Sequence, residues 1–145
     1  MSRFRRVVFD TSTLVSAALR VGSVPHLALV QAFAAGEVCV SASTLAELEG
    51  VLRRRKFDRY QPPEVRQEFT ALLRRHASLV SVSAADEAQV QPPCRDPKDH
   101  QFLALVLACD ADMLVSSDDD LLVLNPWRGV PILTPAAFME AASAR

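Results

Sequence analysis

The feature that most constrains this chain is the alternation of two kinds of segment. Five short runs of β-forming or alternating apolar residues fall at 5–9, 38–40, 79–82, 113–115 and 130–133. Runs such as Val7-Val8-Phe9 and Met113-Leu114-Val115 are too short for a helix and too apolar for an exposed loop. Between and after them, residues 13–19, 24–35, 43–55, 64–76, 99–109, 118–124 and 135–142 read as helices. Gly36 ends the second helix. Leu45, Leu48 and Leu52 stripe the third, which Arg53, Arg54 and Arg55 close. Pro62-Pro63 breaks the chain before the fourth, whose inward side is Val65, Phe69, Leu72 and Leu73. Residues 84–93 are polar and Pro-containing and read as a loop. Thr134 caps the last helix, with Pro135 at its first position. Strands separated by helices predict a three-layer α/β/α sandwich around a mostly parallel sheet of about five strands, one domain over 1–145.

Composition narrows the class. The chain is 50% hydrophobic and 23% charged, which suits a globular protein and excludes disorder throughout. Its longest clean apolar run, 102–109, is far below the roughly 20 residues a membrane span needs. Asp10 interrupts the apolar run behind Arg3, Arg5 and Arg6 before a signal-peptide core forms. The expectation is a cytoplasmic protein with no membrane partner. A net charge of −1 carries no global nucleic-acid signature, so any such contact must come from local patches. Three cysteines without C-x-x-C spacing argue against a disulfide framework or zinc site; Cys39 and Cys109 read as small buried hydrophobes.

Acidic residues gather at segment ends. Asp10 follows Val7-Val8-Phe9, and Asp118, Asp119 and Asp120 follow the strand at 113–115. Asp96 and Asp99 open a helix apolar almost all round, and Glu47 opens the helix after Val38-Cys39-Val40. In a doubly wound sheet these ends share one rim, where ligands bind. Carboxylates packed together raise one another's pKa unless cations neutralise them. Oxygen-only ligands select a hard ion, Mg²⁺ or Mn²⁺, and two such ions make a phosphodiester hydrolysis site.

Each residue also has a plainer role. Asp96-Pro97-Lys98-Asp99 is a good helix start, and Thr44 with Glu47 has capping-box spacing. Asp118 to Asp120 complement a helix dipole. An Arg partner would account for Asp10, whose carboxylate otherwise costs energy at the end of a buried strand. The joint pattern is more specific than any single member.

The order of these segments resembles the PIN domain, the nuclease fold of VapC-type toxins. The resemblance is carried by residues 8–17 (Val-Phe-Asp-Thr-Ser-Thr-Leu-Val-Ser-Ala) and 43–48 (Ser-Thr-Leu-Ala-Glu-Leu). Residues 95–103, 114–122 and the closing 130–138 complete it, so it spans nearly the whole chain. It implies an acidic tetrad of Asp10, Glu47, Asp99 and Asp118 around one or two Mg²⁺ or Mn²⁺ ions, supported by Asp96 and Asp120. Ser116 would orient a ligand or phosphate. Ser12 stands where Asn is frequent, and His100 likewise; His100 reads as a structural or surface residue.

The implied activity is metal-dependent hydrolysis of RNA, in the toxin of a type II toxin–antitoxin pair. Arg53, Arg54, Arg55 and Lys56, with Arg95 and Lys98, are the candidate phosphate contacts. The 53–56 run serves equally as a helix-end charge complement. At 6% aromatics, base stacking is expected to be minor. The resemblance also implies a small antitoxin partner, seated against helices 24–35 and 64–76, and a homodimer. A PIN-like module that binds RNA or protein without cutting is the alternative, against which the intact tetrad speaks. An aspartyl phosphatase would want D-x-D where position 12 is Ser, and a receiver would want Lys on a late strand, where none stands.

Overall fold

The computed structural model describes residues 5–91 and 96–143. Strand β1 (Arg6–Phe9) sits at the centre of a five-stranded sheet ordered β3-β2-β1-β4-β5. Its other strands are β2 (Glu37–Val40), β3 (Ser78–Leu79), β4 (Met113–Val115) and β5 (Ile132–Leu133). Every pairing between these strands is parallel. Val7 stands opposite Val38 on one side and Met113 on the other. The chain builds outward through β2 and β3, then returns to place β4 against the free side of β1. The strand order therefore reverses between β1 and β4.

Strand alternation divides the core in two. Val7, Phe9, Val38, Val40, Met113 and Val115 face one layer of helices: α1 (Thr11–Leu19), α2 (Val24–Ala35), α3 (Ala42–Leu52), α4 (Pro63–His76) and α8 (Pro135–Ser143). Val8, Cys39, Leu114 and Ile132 face the other, dominated by α6 (His100–Cys109) with Trp127 and Leu121. The helices α5 (Ala84–Ala88) and α7 (Asp119–Leu122) are short. β1, β2 and β4 are apolar on both sides because both sides are covered. Cys39 and Cys109 are buried and free, as expected of them; Cys94 lies outside the described residues. Among the described residues no single helix is long and apolar enough to cross a membrane.

Several details differ from the sequence reading. α1 begins at Thr11, two residues early, because Asp10 itself caps it. α3 stops at Leu52 and a 3₁₀ turn follows at Arg55–Phe57, so the arginines do not close its last turn. The capping box at its start pairs Ser41 with Thr44, which leaves Glu47 uncommitted and in the second turn. A five-residue helix replaces the expected loop, started by a Ser83–Asp86 capping box. α4 is rotated from its expected setting. Arg66, Thr70 and Leu73 are buried, while Val65 and Leu72 are 42% and 46% exposed. The rotation follows from Arg66, whose guanidinium reaches the Asp58 carboxylate and the Arg54 carbonyl and ties α4 to the end of α3.

Gly36 ends α2 and starts the approach to β2. A Cβ there would lie 2.2 Å from the carbonyl oxygen of Arg5, which accepts the Glu37 N–H at the head of the sheet. Gly36→Ala should therefore lower the unfolding free energy by about 2 kcal/mol, the usual scale of overpacking, as read by denaturant titration. Gly50→Ala, where a Cβ meets nothing, is the control that should not destabilise.

Candidate functional site

The reversal between β1 and β4 opens a crevice at their carboxyl ends, and Asp10 is the first residue past β1. Its N–H still donates to the Val115 carbonyl at 3.1 Å, so the residue is fixed by the sheet. Its side chain is 3% exposed. Oδ1 accepts the Thr13 N–H at 3.0 Å, and Oδ2 accepts the Ser116 hydroxyl at 2.5 Å and the Ser117 N–H at 3.3 Å. Among the described residues no cation is one of these donors, so the expected alternative of an Arg partner is not seen there. Burial pushes the Asp10 carboxyl above its ordinary range, opposed by these hydrogen bonds.

Ser116, fully buried, bridges the two sides of the crevice. While its hydroxyl donates to Asp10, it accepts the Asp118 N–H at 2.9 Å. It thus orients a carboxylate, whereas the sequence reading aimed it at a ligand. Asp118 then caps α7 through the Asp120 N–H at 2.9 Å. Across the crevice, Asp96 caps the 3₁₀ turn Pro97–Asp99 through the Lys98 N–H at 3.0 Å. The capping role read from sequence for Asp96 is therefore present, and Asp118, read there as a helix-dipole complement, is a cap as well. They use one oxygen of each carboxylate.

Asp99 is different. It stands at the start of α6 yet makes no capping bond; it is 6% exposed, and its Oδ2 has no hydrogen-bond partner. An orphaned buried carboxylate oxygen is costly unless something occupies it. Burial, then the neighbouring Asp118, then Asp96 and Asp10, push its pKa up to about 7. Carboxylate oxygens of Asp96, Asp99, Asp118 and Asp120 lie within 4.8 Å of one another.

Asp96, Asp99 and Asp118 line a cleft of about 430 Å³ that also holds Asp10, Glu47, Ser12, Arg54 and Lys98. Glu47 is held by the Thr11 hydroxyl at 3.1 Å and by the Gln101 side-chain amide. Gln101 is itself steadied by the Ser43 hydroxyl at 2.6 Å. The structure thus gathers all four tetrad positions on one cleft, with Asp99 and Asp118 in the tight cluster. Sequence reading missed Gln101, Thr13 and Ser117. Gln101 carries no local signal, because its partner is 54 residues away.

The candidate cations do not stay together. Arg54 and Lys98 reach the cleft, whereas Arg53 turns to a separate cavity with Arg66 and Arg74 between α3 and α4. Arg55 is exposed, and Lys56 lies over the Phe57 ring. Arg95 lies outside the described residues. His100 bonds the Glu87 carbonyl at 3.0 Å and joins α5 to α6, the structural role expected of it.

The electrostatics give a stability profile. Unfolded, Asp99 titrates near 3.8; folded, near 7. Between those values the folded chain keeps a proton the unfolded chain has released. The stabilisation is full below the lower value and is lost as pH rises through the upper one. Asp10 shifts in the same direction. In EDTA the melting temperature should fall as pH is raised from about 5 to about 8, and Asp99→Asn should flatten that slope in a calorimetric series.

Comparison with known proteins agrees with this geometry. A family model described as PIN domain matches residues 6–120. Among solved structures, the fold is similar to VapC20 of Mycobacterium tuberculosis, a sarcin–ricin-loop-cleaving toxin. The TM-score is 0.55 at 17% identity, covering 81% of this chain and 94% of that one. It is also similar to VapBC2 of Rickettsia felis, solved on a DNA fragment from its promoter. There the TM-score is 0.60 at 15% identity, covering 88% and 96%. No curated protein matches by sequence. The matched segment carries every acidic residue of the cleft, and the chain belongs to the PIN-domain family.

Proposed function

We propose that the cleft is the active site of a metal-dependent endoribonuclease, acting as the toxin of a type II toxin–antitoxin pair. The observation that carries this reading is Asp99: a buried carboxylate with an unpartnered oxygen, set among three other aspartates at the strand-order reversal. The donor set fits a divalent cation. The side chains that converge there offer only carboxylate oxygens, which suit Mg²⁺ or Mn²⁺ rather than a softer ion. Asp96, Asp99, Asp118 and Asp120 would hold the first ion, and Asp10 and Glu47 stand on the same cleft for a second. Such ions, when bound, activate water and neutralise charge building on phosphorus.

The chain's own residues do the rest. Asp10 is locked by Ser116, Thr13 and Ser117, so it costs no reordering when substrate arrives. Gln101 and Thr11 fix Glu47 in the same way. Arg54 and Lys98 flank the acids and provide the positive charge that a phosphodiester needs to approach them. The VapC and VapBC structures support a toxin setting with a small antitoxin as partner through their common fold; the homodimer is part of this proposal and follows from the family resemblance alone.

The deciding experiment is incubation of purified protein with mixed single-stranded RNA and Mg²⁺ or Mn²⁺. Cleavage should disappear in EDTA and in Asp10→Asn, whose melting temperature should stay close to the parent's. Ser116→Ala, which frees Asp10 without removing it, should lose about 10–100-fold, as for other supporting partners of a metal ligand. A folded protein that binds Mn²⁺ but cuts nothing would favour a non-cleaving RNA- or protein-binding module.

Metal binding has its own readout. Millimolar Mn²⁺ should raise the melting temperature, because an ion that binds only the folded site stabilises by mass action. Asp99→Asn should melt higher than the parent in EDTA yet gain little from Mn²⁺. Equal gains in both proteins would place the ion elsewhere.

A further inference from the structure

Beyond the acids, the cleft continues in one direction. Ser12 and Ser16 line it from α1, and Arg20 stands one turn further along, at the C-cap of that helix. The facing wall is Arg54 and Phe57, and Tyr60 follows one turn beyond, its N–H donating to the Phe57 carbonyl at 2.9 Å. The Gln61 amide donates to the Leu19 carbonyl at 3.4 Å and stitches the two walls together there. At this end Arg20 and Arg59 place their guanidinium groups 5.8 and 5.4 Å from the Tyr60 ring centre. The ring nevertheless leaves 45% of the residue exposed.

The charge around it is concentrated. Residues 53–60 carry five cations and one acid in a chain whose net charge is −1. That acid, Asp58, is engaged by the buried Arg66 and so offsets the field of its neighbours less. An exposed aromatic ring among guanidinium planes, continuous with a site for phosphodiesters, is the arrangement that binds unpaired bases: the ring stacks and the cations hold the backbone. A double helix would keep its bases stacked on one another and could not use the ring.

We propose that single-stranded RNA leaving the cleft runs along α1 and stacks one base on Tyr60, with Arg20 and Arg59 holding the adjoining phosphates. The proposal rests on the ribonuclease reading above and adds direction and strandedness to it. Tyr60 is a positioning residue. It touches a flanking nucleotide and stands outside the reacting centre, so its loss should appear in KM and spare kcat. The few aromatics in the chain are compatible with this, since one well-placed ring is enough.

The test is steady-state cleavage of a mixed-sequence single strand of about ten nucleotides, a length within the usual site size. Tyr60→Ala should raise KM about tenfold and leave kcat within about twofold, a scale typical of one lost stacking contact. Tyr60→Phe, which keeps the ring, should match the parent, and an RNA duplex should be cut poorly by both. Because Tyr60 is the chain's single tyrosine, 3-fluorotyrosine labels that position alone, and its ¹⁹F resonance should shift when the same strand is added in EDTA. If Asp10-dependent cleavage is found but Tyr60→Ala leaves KM unchanged, the stacking proposal is overturned and the nuclease stands. A fall in kcat at constant KM, or in melting temperature alone, would make the residue structural and overturn it too. Absence of both Asp10-dependent cleavage and a ¹⁹F shift would remove the two readings together.

Discussion

The site depends on one hydrogen-bonded hinge between two parallel strands: the Ser116 hydroxyl, which donates to Asp10 and accepts from the Asp118 backbone. It links the residue after β1 to the start of α7 at the place where the sheet reverses its strand order. Without it, the end of β1 would present a buried carboxylate with fewer donors, and the loop after β4 would lose the anchor that sets Asp118. The hinge explains how a carboxyl group can be 3% exposed at the end of a strand whose last three residues, Val7, Val8 and Phe9, are apolar and buried. Four neutral donors, the Ser12 and Ser116 hydroxyls and the Thr13 and Ser117 N–H groups, share the carboxyl, and none of the donors among the described residues is a cation.

That solution leaves a residue of unfavourable energy elsewhere, in Asp99. Four carboxylates within 4.8 Å repel, and burial denies them water. Two of the four are relieved by capping bonds to backbone N–H groups, through Lys98 and Asp120. Asp99 has no such relief, and the strain appears as a pKa near 7 and an oxygen with no partner. Among the described residues two buried side-chain atoms lack a partner, Arg66 Nε and Asp99 Oδ2, and of the two it is the carboxylate oxygen that a bound cation would relieve. The proposed metal site is thus written into the energetics of the free protein as well as into its list of acids.

The sequence made some of this legible and hid the rest, for physical reasons. A buried parallel strand is a local signal, since it must be apolar on both faces, and so β1, β2 and β4 could be read directly. Strand ends then located Asp10 and Asp118, and the alternation of segments placed those ends on one rim. What could not be read depends on contacts between distant segments. Arg66 turns inward because Asp58 and the Arg54 carbonyl receive it, and that rotates α4 against its own apolar periodicity. Gln101 holds Glu47 from another helix, with no trace in either segment. The Ser41–Thr44 box displaced the Thr44–Glu47 box that the spacing allowed, and that exchange frees Glu47 to reach the cleft.

The fate of the basic run at 53–56 shows why the end of a helix can matter more than its composition. Had α3 continued through these residues, their side chains would have been distributed around its axis at helical spacing. It stops at Leu52 instead, and the chain re-forms as a 3₁₀ turn. The residues then diverge: Arg53 toward α4, Arg54 into the acidic cleft, Lys56 over Phe57. A near-neutral protein with an acidic centre cannot draw a polyanion by its overall field, so position must do what total charge does not. Arg54 lies beside the acids, Arg20 and Arg59 lie past them, and Phe57 and Tyr60 fill the interval. The break in α3 turns one cluster of charge into a path, and a path has a direction that a cluster lacks.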